Sequence, residues 1–381
     1  MNLLYITWNF PPRKGGMENY NWRLSNELSK KHNILIITRH LSESKNTDTI
    51  KRAPFPGLIS FFLYGYVAGK RMIRGNSING VIGGSASVVP LLKKLSTKSG
   101  LPKLVLTHGF DLTYPGMCYQ TILKRSLKSI DYFVSNSNFT AQILQKTGIQ
   151  PEKITVIPPG VDTEFYTPCD RAGIAALKAR YGLQDRRIIL FVGRLVHRKG
   201  ILKFTREVFP QVVRHCKDAV LIIVGDEPTE AVVHKERLKF MLTKSVNDLG
   251  LQKSVIVRGW IDSESLRDHY RFCDFCILPA IPVTGNDHEG FGMVIIEAAA
   301  CAKPTVAVAL GGIPDAIINN QTGILLQPWS PEELADNVIK LLNDPARCAE
   351  LGNNARNRAV EKFDWNIVTA AFCSLAEKIF Q

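Results

Sequence analysis

The chain has 381 residues, of which 45% are hydrophobic and 22% charged, and its formal net charge at pH 7 is +14. This length favours two globular domains over one, and the composition is that of an ordinary globular protein. No apolar run reaches the roughly 18 residues that span a bilayer. The eight cysteines stand at irregular spacings, which excludes a disulfide framework and favours reduced thiols.

The N-terminal sequence MNLLYITWNF carries no positively charged leader and no small-residue cleavage site. It is more typical of a buried first strand than of a signal peptide. We therefore expect a cytoplasmic protein.

Short apolar runs recur along the chain, separated by spacers long enough for helices. In the first half they are LLYIT, ILIIT, GVIGG, LVLTHG, YFVSNS and ITVIPPG. In the second half they are IILFVGR, AVLIIVGD, SVIVRGW, FCILPA, PTVAVA and GILLQP. Continuous apolar strands that alternate with helices indicate parallel sheets covered on both faces. The sequence therefore predicts an α/β protein with two doubly wound, Rossmann-like domains that face each other across a cleft.

The alternation is interrupted between Val161 and Arg187, where Pro168 and the sequence DRAG occur. After Gln327 the pattern becomes helical, and the last 19 residues or so repeat apolar side chains at helical spacing. We predict an N-terminal domain over residues 1–168 and a C-terminal domain over residues 169–362. A terminal helix over residues 363–381 is expected to pack back towards the N-terminal domain.

A long stretch of the first half has no acidic residue. No aspartate or glutamate lies between Thr49 and Phe110, but the stretch holds Lys51, Arg52, Lys70, Arg71, Arg74, Lys93, Lys94, Lys98 and Lys103. A field of one sign attracts anions, and the embedded sequence FPGLISFFLYGYVAG is too apolar for an exposed loop. We predict that this segment lies on an anionic membrane surface, peripherally at its inner face. A solvated basic surface is the alternative, and nucleic acid is not expected because the basic residues show no aromatic stacking pattern.

The loop after the first strand, FPPRKGGMENY, contains two glycines in a row. Gly15 and Gly16 allow a sharp turn and a close approach to a ligand, and a helix that begins near Met17 directs its N–H groups at an anion. No G-x-G-x-x-G follows any strand, which argues against a nicotinamide or flavin enzyme.

The first strand of the second half is followed by the loop FVGRLVHRKG. Gly193 permits tight passage, and Arg194 and Lys199 place two positive charges at the end of a strand. A diphosphate requires charge neutralisation, which a fixed arginine and lysine supply. Since the chain lacks D-x-D, H-E-x-x-H and the P-loop motif, we expect these cations, and no metal, to balance the charge.

The segment DHEGFGMVIIEAAA places one glutamate before a Gly-Phe-Gly turn and another inside the apolar run that follows. A helix that starts near Gly292 would direct its first amides at phosphate oxygens. Glu289 precedes this turn, and Glu297 lies about two helical turns further on. Two carboxylates that flank a phosphate-binding turn suit a ligand with hydroxyls at both ends. A buried carboxylate such as Glu297 also needs a partner.

His108, in LVLTHGFDL, ends the fourth apolar run. A lone histidine is more often structural than catalytic, but its place at the carboxyl end of a strand, beside a glycine, makes a role in the site as well supported as a structural one.

Together these residues resemble the retaining glycosyltransferases of family four, which have the GT-B fold. The resemblance rests on PPRKGG, THGFD, SNSNFT, VIPPGVD, FVGRLVHRKG, GW and the Glu-x7-Glu motif, and THGFDL is similar to the branch that acts on phosphatidylinositol mannosides. It implies a nucleoside diphosphate sugar as donor, GDP- or UDP-linked, with no cofactor. One departure from the family pattern is VGDEP, where relatives commonly have a second glycine after the aspartate. Because Glu227 stands there, the sequence does not assign the nucleotide base of the donor.

The resemblance also implies a role for each matching residue. Arg194 and Lys199 hold the diphosphate and stabilise its charge as it leaves, while Glu289 binds hydroxyls of the transferred sugar. Glu297 takes the ribose hydroxyls, and His108 lies near the reacting sugar carbon. Further donor contacts are implied for Gly15, Gly16, Gly193, Arg258, Trp260, Ile261, Gly290, Phe291, Gly292, Met293 and Val294. Acceptor contacts are implied for Arg13, Lys14 and Asp111.

We therefore predict a metal-independent, retaining hexosyltransferase of cell-envelope glycan synthesis, with a lipid-linked or glycan acceptor bound by the N-terminal domain. A nucleotide-sugar epimerase or hydrolase of the same fold is one alternative. A non-catalytic nucleotide-sugar binder is the other.

Overall fold

The computed structural model describes residues 1–13, 15–41, 46–96, 99–228, 237–283, 288–327 and 329–380. The chain divides into two compact units. The first unit comprises Met1–Gly160, Gly285–Gly290 and Trp365–Gln381, and the second comprises Val161–Thr284 and Phe291–Asp364. The divisions predicted from the sequence, after residues 168 and 362, lie a few residues away from these.

The first unit contains a seven-stranded parallel sheet in the order β3-β2-β1-β4-β5-β6-β7. Leu3 of the first strand pairs with Ile34 on one side and with Gly80 on the other, so the strand order reverses around β1. The strands are β1 Asn2–Thr7, β2 Asn33–Thr38, β3 Ile50–Arg52, β4 Gly80–Gly83, β5 Lys103–Thr107, β6 Tyr132–Ser135 and β7 Ile154–Val156.

The second unit contains a six-stranded parallel sheet in the order β10-β9-β8-β11-β12-β13. Its strands are β8 Arg187–Val192, β9 Ala219–Val224, β10 Val255–Gly259, β11 Phe275–Leu278, β12 Thr305–Val308 and β13 Gly323–Leu326. Each predicted apolar run forms a strand, and the prediction of two doubly wound parallel sheets is confirmed.

One strand was not predicted. β3 has three residues, lies at the edge of the sheet and pairs with β2. Its sequence IKR is too short and too polar to register as a buried strand. Because of it, His108 follows the fifth strand of the first unit rather than the fourth.

Helices connect the strands in both units. In the first unit they are α1 Gly16–Ser29, α2 Leu58–Gly75, α3 Val89–Ser96, α4 Phe110–Thr113, α5 Met117–Leu127 and α6 Asn138–Lys146. In the second unit they are α7 Arg171–Arg180, α8 Ile201–Lys203, α9 Phe209–His215, α10 Leu238–Asp248, α11 Ser263–Phe272, α12 Met293–Ala300, α13 Ile313–Ala316, α14 Pro331–Asn343 and α15 Pro345–Arg358.

Local sequence fixes where several of these helices begin. The Asp170 carboxylate accepts the N–H of Gly173 at 2.8 Å and caps α7. The Ser330 hydroxyl accepts the N–H of Glu333 at 3.2 Å, with Pro331 as the first residue of α14. Both satisfy a backbone donor that the first helical turn leaves without an intrahelical partner.

The last helix, α16 Trp365–Phe380, belongs to the first unit. Trp365, Phe372 and Phe380 are buried in a cluster with Tyr20 of α1. A Cβ at Gly80 would lie 2.1 Å from a ring carbon of Phe380, so a strand residue without a side chain admits this ring. The helix therefore completes the hydrophobic core on one face of the seven-stranded sheet.

Gly200, at the end of the loop after β8, is a close-contact position. Its φ is 71°, and a Cβ there would lie 1.8 Å from the backbone oxygen of Pro279. Gly182 has nearly the same φ, 70°, but a Cβ there would meet nothing within 4 Å. The pair separates the cost of a left-handed backbone from the cost of a collision.

We predict that Gly182→Ala lowers stability by about 1 kcal/mol, the cost of placing an L-residue in the left-handed region. Gly200→Ala should cost roughly 3 kcal/mol or more, because backbone must also move. Thermal unfolding of both variants beside the parent protein measures the difference. Equal shifts of the two midpoints would show that the contact with Pro279 imposes no constraint.

Candidate functional site

The loop after β5 in the first unit is held by one carboxylate. The two oxygens of Asp111 accept the backbone N–H of His108 at 2.9 Å and that of Ala86 at 2.8 Å. Asp111 is 9% exposed, so these bonds lie in buried surroundings. Since both oxygens are engaged within the unit, the structure gives Asp111 a positioning role for the loop.

The ring of His108 is oriented by two neighbours. Its Nε2 lies 3.0 Å from the carbonyl oxygen of Gly84, and it packs against the Tyr20 ring in a T-shaped arrangement with centroids 5.4 Å apart. Because a carbonyl oxygen can only accept, Nε2 carries the proton of the neutral ring. Nδ1 is then the acceptor atom of the imidazole.

The residues around Glu289 lie against this loop. A Cβ at Gly290 would lie 2.3 Å from the carbonyl oxygen of His108 and 3.1 Å from Nδ2 of Asn136. His288 packs edge-on against Phe139, with ring centroids 5.3 Å apart. The structure thus brings the first glutamate of the Glu-x7-Glu motif, which is half-buried, next to His108.

The glycine loop after β1 is organised by Glu18, a residue that sequence reasoning missed. Its Oε1 accepts a hydrogen bond from the side-chain amide of Asn9 at 2.9 Å and lies 3.5 Å from Nε of Arg13. A Cβ at Gly15 would lie 2.3 Å from its Oε2, so a side chain at that position would displace the carboxylate. Glu18 stands three residues after the cap of α1, where an acidic residue is typical of a helix start.

Two further residues were predicted to act in this loop. Gly16 is the first residue of α1. Lys14 lies outside the described residues.

In the second unit, the loop after β8 holds the predicted cations. Gly193 has φ 151°, and a Cβ there would lie 3.6 Å from Cε of Lys199. A Cβ at Gly225 would lie 1.9 Å from the carbonyl oxygen of Gly193, so the loops after β8 and β9 are in backbone contact. Lys199 is 7% exposed, whereas Arg194 is exposed. The two cations therefore occupy different environments.

Glu297 in α12 has the partner that its burial requires. Its Oε2 accepts the hydroxyl of Tyr270 at 2.8 Å. Burial raises the pKa of Glu297, and the hydrogen bond from Tyr270 and the positive charge of Lys199 oppose that shift. Burial also raises the pKa of Tyr270 well above its usual value, so the phenol stays protonated and donates. Thus the structure brings the second glutamate of the motif close to Lys199.

The start of α12 has the features of an anion site. Gly292 caps the helix with φ 94°, and Phe291 is buried with its ring 5.7 Å from that of Phe363. Met293 and Val294 form the first turn and are half-buried. The N–H groups of a first turn have no intrahelical acceptor, and the helix dipole favours negative charge beside them.

The end of β10 carries three of the residues predicted to contact the donor. Arg258 lies over the Tyr181 ring at 5.8 Å from its centroid, and Trp260 is 58% exposed. Gly259 has φ 67°, and its carbonyl oxygen accepts the N–H of Gly225 at 2.8 Å. Ile261 follows and packs, half-buried, against the hydrophobic core of the second unit.

The departure VGDEP has a structural function. Glu227 accepts the backbone N–H of Lys239 at 2.8 Å near the start of α10, and Asp226 accepts the Lys239 ammonium at 2.8 Å. The hydrogen bond from Lys239 holds the pKa of Asp226 below its usual value. Both carboxylates are thus used to fix the loop after β9.

Within the part of the chain that the structure describes, no group of three or more histidine, cysteine or acidic side chains could hold a metal ion. Over the same residues, no helix is both long and apolar enough to cross a membrane.

Two family models match the chain over separate parts. The model "Glycosyltransferase Family 4" matches residues 14–165, and the model "Glycosyl transferases group 1" matches residues 174–358.

Curated relatives are similar over most of the chain. A GDP-mannose-dependent alpha-(1-6)-phosphatidylinositol monomannoside mannosyltransferase from Mycolicibacterium smegmatis is 29% identical over 98% of this chain and 97% of its own length. A D-inositol 3-phosphate glycosyltransferase from Xylanimonas cellulosilytica is 31% identical over 74% of this chain and 65% of its own length.

Solved structures share the fold. HepE from Anabaena in complex with UDP has a TM-score of 0.81 at 17% identity and covers 99% of this chain and 100% of its own. Sucrose-phosphate synthase from Thermosynechococcus elongatus has a TM-score of 0.82 at 21% identity and covers 100% of this chain and 99% of its own. The predicted GT-B fold is confirmed. The chain belongs to the glycosyltransferases of family 4, also described as glycosyl transferases group 1, which are enzymes that use nucleotide-sugar donors.

Proposed function

We propose that the protein transfers mannose from GDP-mannose to a phosphatidylinositol-type glycolipid at a membrane surface, with retention of the anomeric configuration. The observation that supports this most is the convergence of Lys199, Tyr270 and Glu297 beside the start of α12. GDP-mannose is proposed because the mycobacterial relative that matches nearly the whole chain is GDP-mannose-dependent.

In the second unit, Glu297 accepts the ribose hydroxyls and Tyr270 holds its carboxylate in place. Lys199 and Arg194 neutralise the diphosphate, aided by the first-turn amides of α12. A buried lysine suits this role, because a charge in surroundings of low dielectric interacts more strongly with a phosphate than a solvated charge does. Glu289 accepts hydroxyls of the transferred sugar.

In the proposed reaction, the bond between the anomeric carbon and the diphosphate oxygen breaks while the acceptor oxygen attacks from the same face. The acceptor proton passes to the departing diphosphate, whose charge the two cations stabilise. His108 lies near the reacting carbon, positioned through Asp111, and its Nδ1 accepts a hydroxyl hydrogen bond.

The lipid acceptor and the membrane surface are proposed from α2. Its exposed apolar side chains include Ile59 at 78% and Leu58 at 57% exposure, and Arg71 is exposed on the same helix. Such a face binds membranes through buried apolar area and attraction to anionic headgroups.

Two basic residues that we counted towards this surface are engaged inside the unit. Arg52 donates to the carbonyl oxygen of Pro11 at 3.0 Å, and Lys103 pairs with Asp131 at 2.9 Å. Of the other seven, Lys70, Arg71, Arg74, Lys93 and Lys94 lie on α2 and α3, Lys51 lies in β3, and Lys98 lies outside the described residues.

We predict that Glu297→Gln lowers affinity for GDP-mannose about tenfold, since a neutral amide is a weaker acceptor for hydroxyls than a carboxylate. The same change should stabilise the donor-free protein at pH 8. The raised pKa means that ionising Glu297 costs stability as the pH rises through the folded-state pKa, whereas at pH 4 the group is largely protonated in both states. Calorimetric titration and thermal unfolding at both pH values measure the two effects. Unchanged donor affinity would remove Glu297 from the nucleotide site.

We predict that the protein with GDP-mannose and phosphatidylinositol monomannoside yields a product whose new linkage has the donor's anomeric configuration, measured by NMR. Lys199→Met, close to lysine in size, should reduce kcat by about 10²–10³. Arg194→Ala should act in the same direction, and activity should persist in EDTA.

Each control addresses a separate part of the proposal. Cleavage of the donor at equal rate without acceptor would favour the hydrolase alternative. Inverted product would exclude attack from the same face. Loss of activity in EDTA, restored by a divalent cation, would show that Arg194 and Lys199 do not suffice as counter-charge.

We predict that the protein co-sediments with vesicles containing phosphatidylglycerol and less with neutral vesicles, and that salt weakens this binding. Ile59→Ser combined with Arg71→Ser should reduce binding about tenfold. Arg180→Ser removes an exposed charge of the second unit and serves as the control. Equal binding of both variants would place the contact surface elsewhere.

A further inference from the structure

The first unit contains a long apolar groove between α2, α3 and α5. Its volume is about 1200 Å³, and its walls include Leu58, Phe62, Leu63, Tyr66, Ile122 and Leu123. Several of these side chains are solvent-exposed, among them Leu63 at 66% and Ile122 at 52%. Pockets for drug-sized ligands enclose roughly 300–1,000 Å³. The groove therefore has room for a long aliphatic ligand.

The charges around the groove have one sign. Lys70, Arg74 and Lys94 are among its lining residues, and none of the described residues that line it is acidic. The Lys70 ammonium lies 5.7 Å from the centroid of the Tyr66 ring, where its charge stands beside the apolar wall. An apolar wall with basic residues fits a ligand with a hydrocarbon part and an anionic part. A second copy of this chain, with its own net charge of +14, is disfavoured as an occupant.

The groove is continuous with the loop that carries His108. Ser87 and Tyr119 line the groove. Tyr119 donates its hydroxyl to the carbonyl oxygen of Asp111, and Ser87 adjoins Ala86, whose N–H donates to the Asp111 carboxylate at 2.8 Å. One end of the groove therefore lies beside the residues that position His108.

Two glycines of α2 fix the shape of this region. A Cβ at Gly65 would lie 2.7 Å from Leu91, and one at Gly69 would lie 3.0 Å from Leu95. Without side chains at these positions, α2 packs closely on α3 along this face. Leu63 and Leu58 lie on a different side of α2 from these glycines and stay exposed along the groove.

We infer that this groove binds one hydrocarbon chain of the acceptor lipid, while the polar headgroup of the same molecule lies at the His108–Asp111 loop. This inference rests on the proposed function and deepens it. The acceptor is recognised as an amphiphile, with part of its binding energy drawn from a chain that leaves the bilayer. Binding energy from a remote part of a substrate is expressed chiefly in KM and Kd when it is uniform between ground and transition states.

The test is direct binding of phosphatidylinositol with acyl chains of four, six and eight carbons, each below its critical micelle concentration, by calorimetry without donor. Each methylene that enters the groove should lower Kd by up to about fourfold. Leu63→Asp should abolish this dependence on chain length. Val67→Asp is the matched control, because Val67 lies one turn further along α2, is also 66% exposed and does not line the groove.

Ile122→Trp, which fills the groove without adding charge, should act as Leu63→Asp does. Equal effects of Leu63→Asp and Val67→Asp, or a Kd that does not change with chain length, would overturn the inference. A dimer in sedimentation that Leu63→Asp dissociates would assign the groove to a second copy and would also overturn it. The binding series measures no turnover, so its result stands even if the proposed transfer fails. That failure would appear in a separate transfer assay, as absence of product at every chain length.

Discussion

A carboxylate inside an apolar helix is unfavourable, and the proposed nucleotide site of the second unit is arranged around that cost. Glu297 lies among buried neighbours of α12, and its pKa is raised by that burial. The hydroxyl of Tyr270 and the charge of Lys199 oppose the shift. Lys199 is itself buried and Glu297 is half-buried, so the same electrostatic attraction lowers the cost of removing the two charges from bulk water. A cation and an anion are thus kept close together in surroundings where a diphosphate and a pair of hydroxyls can each find a complementary charge.

Backbone contacts hold this arrangement in place. Gly225 touches the carbonyl of Gly193, and Gly200 touches that of Pro279, so the loops after β8, β9 and β11 are fixed to one another without side chains. Lys199 lies between two of these contacts. A charged side chain held on a rigid loop loses less entropy on binding than one on a mobile loop, which is what preorganised stabilisation of a leaving group requires.

The sequence predicted those features that depend on local pattern and left out those that depend on distant neighbours. The buried strands and the start of α12 follow from apolar runs and glycines, but the polar edge strand β3 does not. The need of Glu297 for a partner was foreseen, whereas Tyr270 lies 27 residues away and has no sequence signal that separates it from a core tyrosine. Likewise, nothing local reveals that Arg52 donates to the carbonyl oxygen of Pro11 or that Lys103 pairs with Asp131.

The acid-free stretch of the first unit acquires a consistent meaning from Asp111. Asp111 is the first acidic residue after Asp48, and its backbone carbonyl accepts the hydroxyl of Tyr119, which lines the groove formed by α2, α3 and α5. Its carboxylate is buried, and both of its oxygens accept backbone N–H groups, those of His108 and Ala86. An anionic amphiphile that approaches α2 and α3 therefore meets basic and apolar side chains, and the nearest carboxylate in sequence is engaged within the unit. In the proposed function, the charge pattern, the groove and the histidine loop form one acceptor surface, in which the absence of acids is as necessary as the presence of lysines.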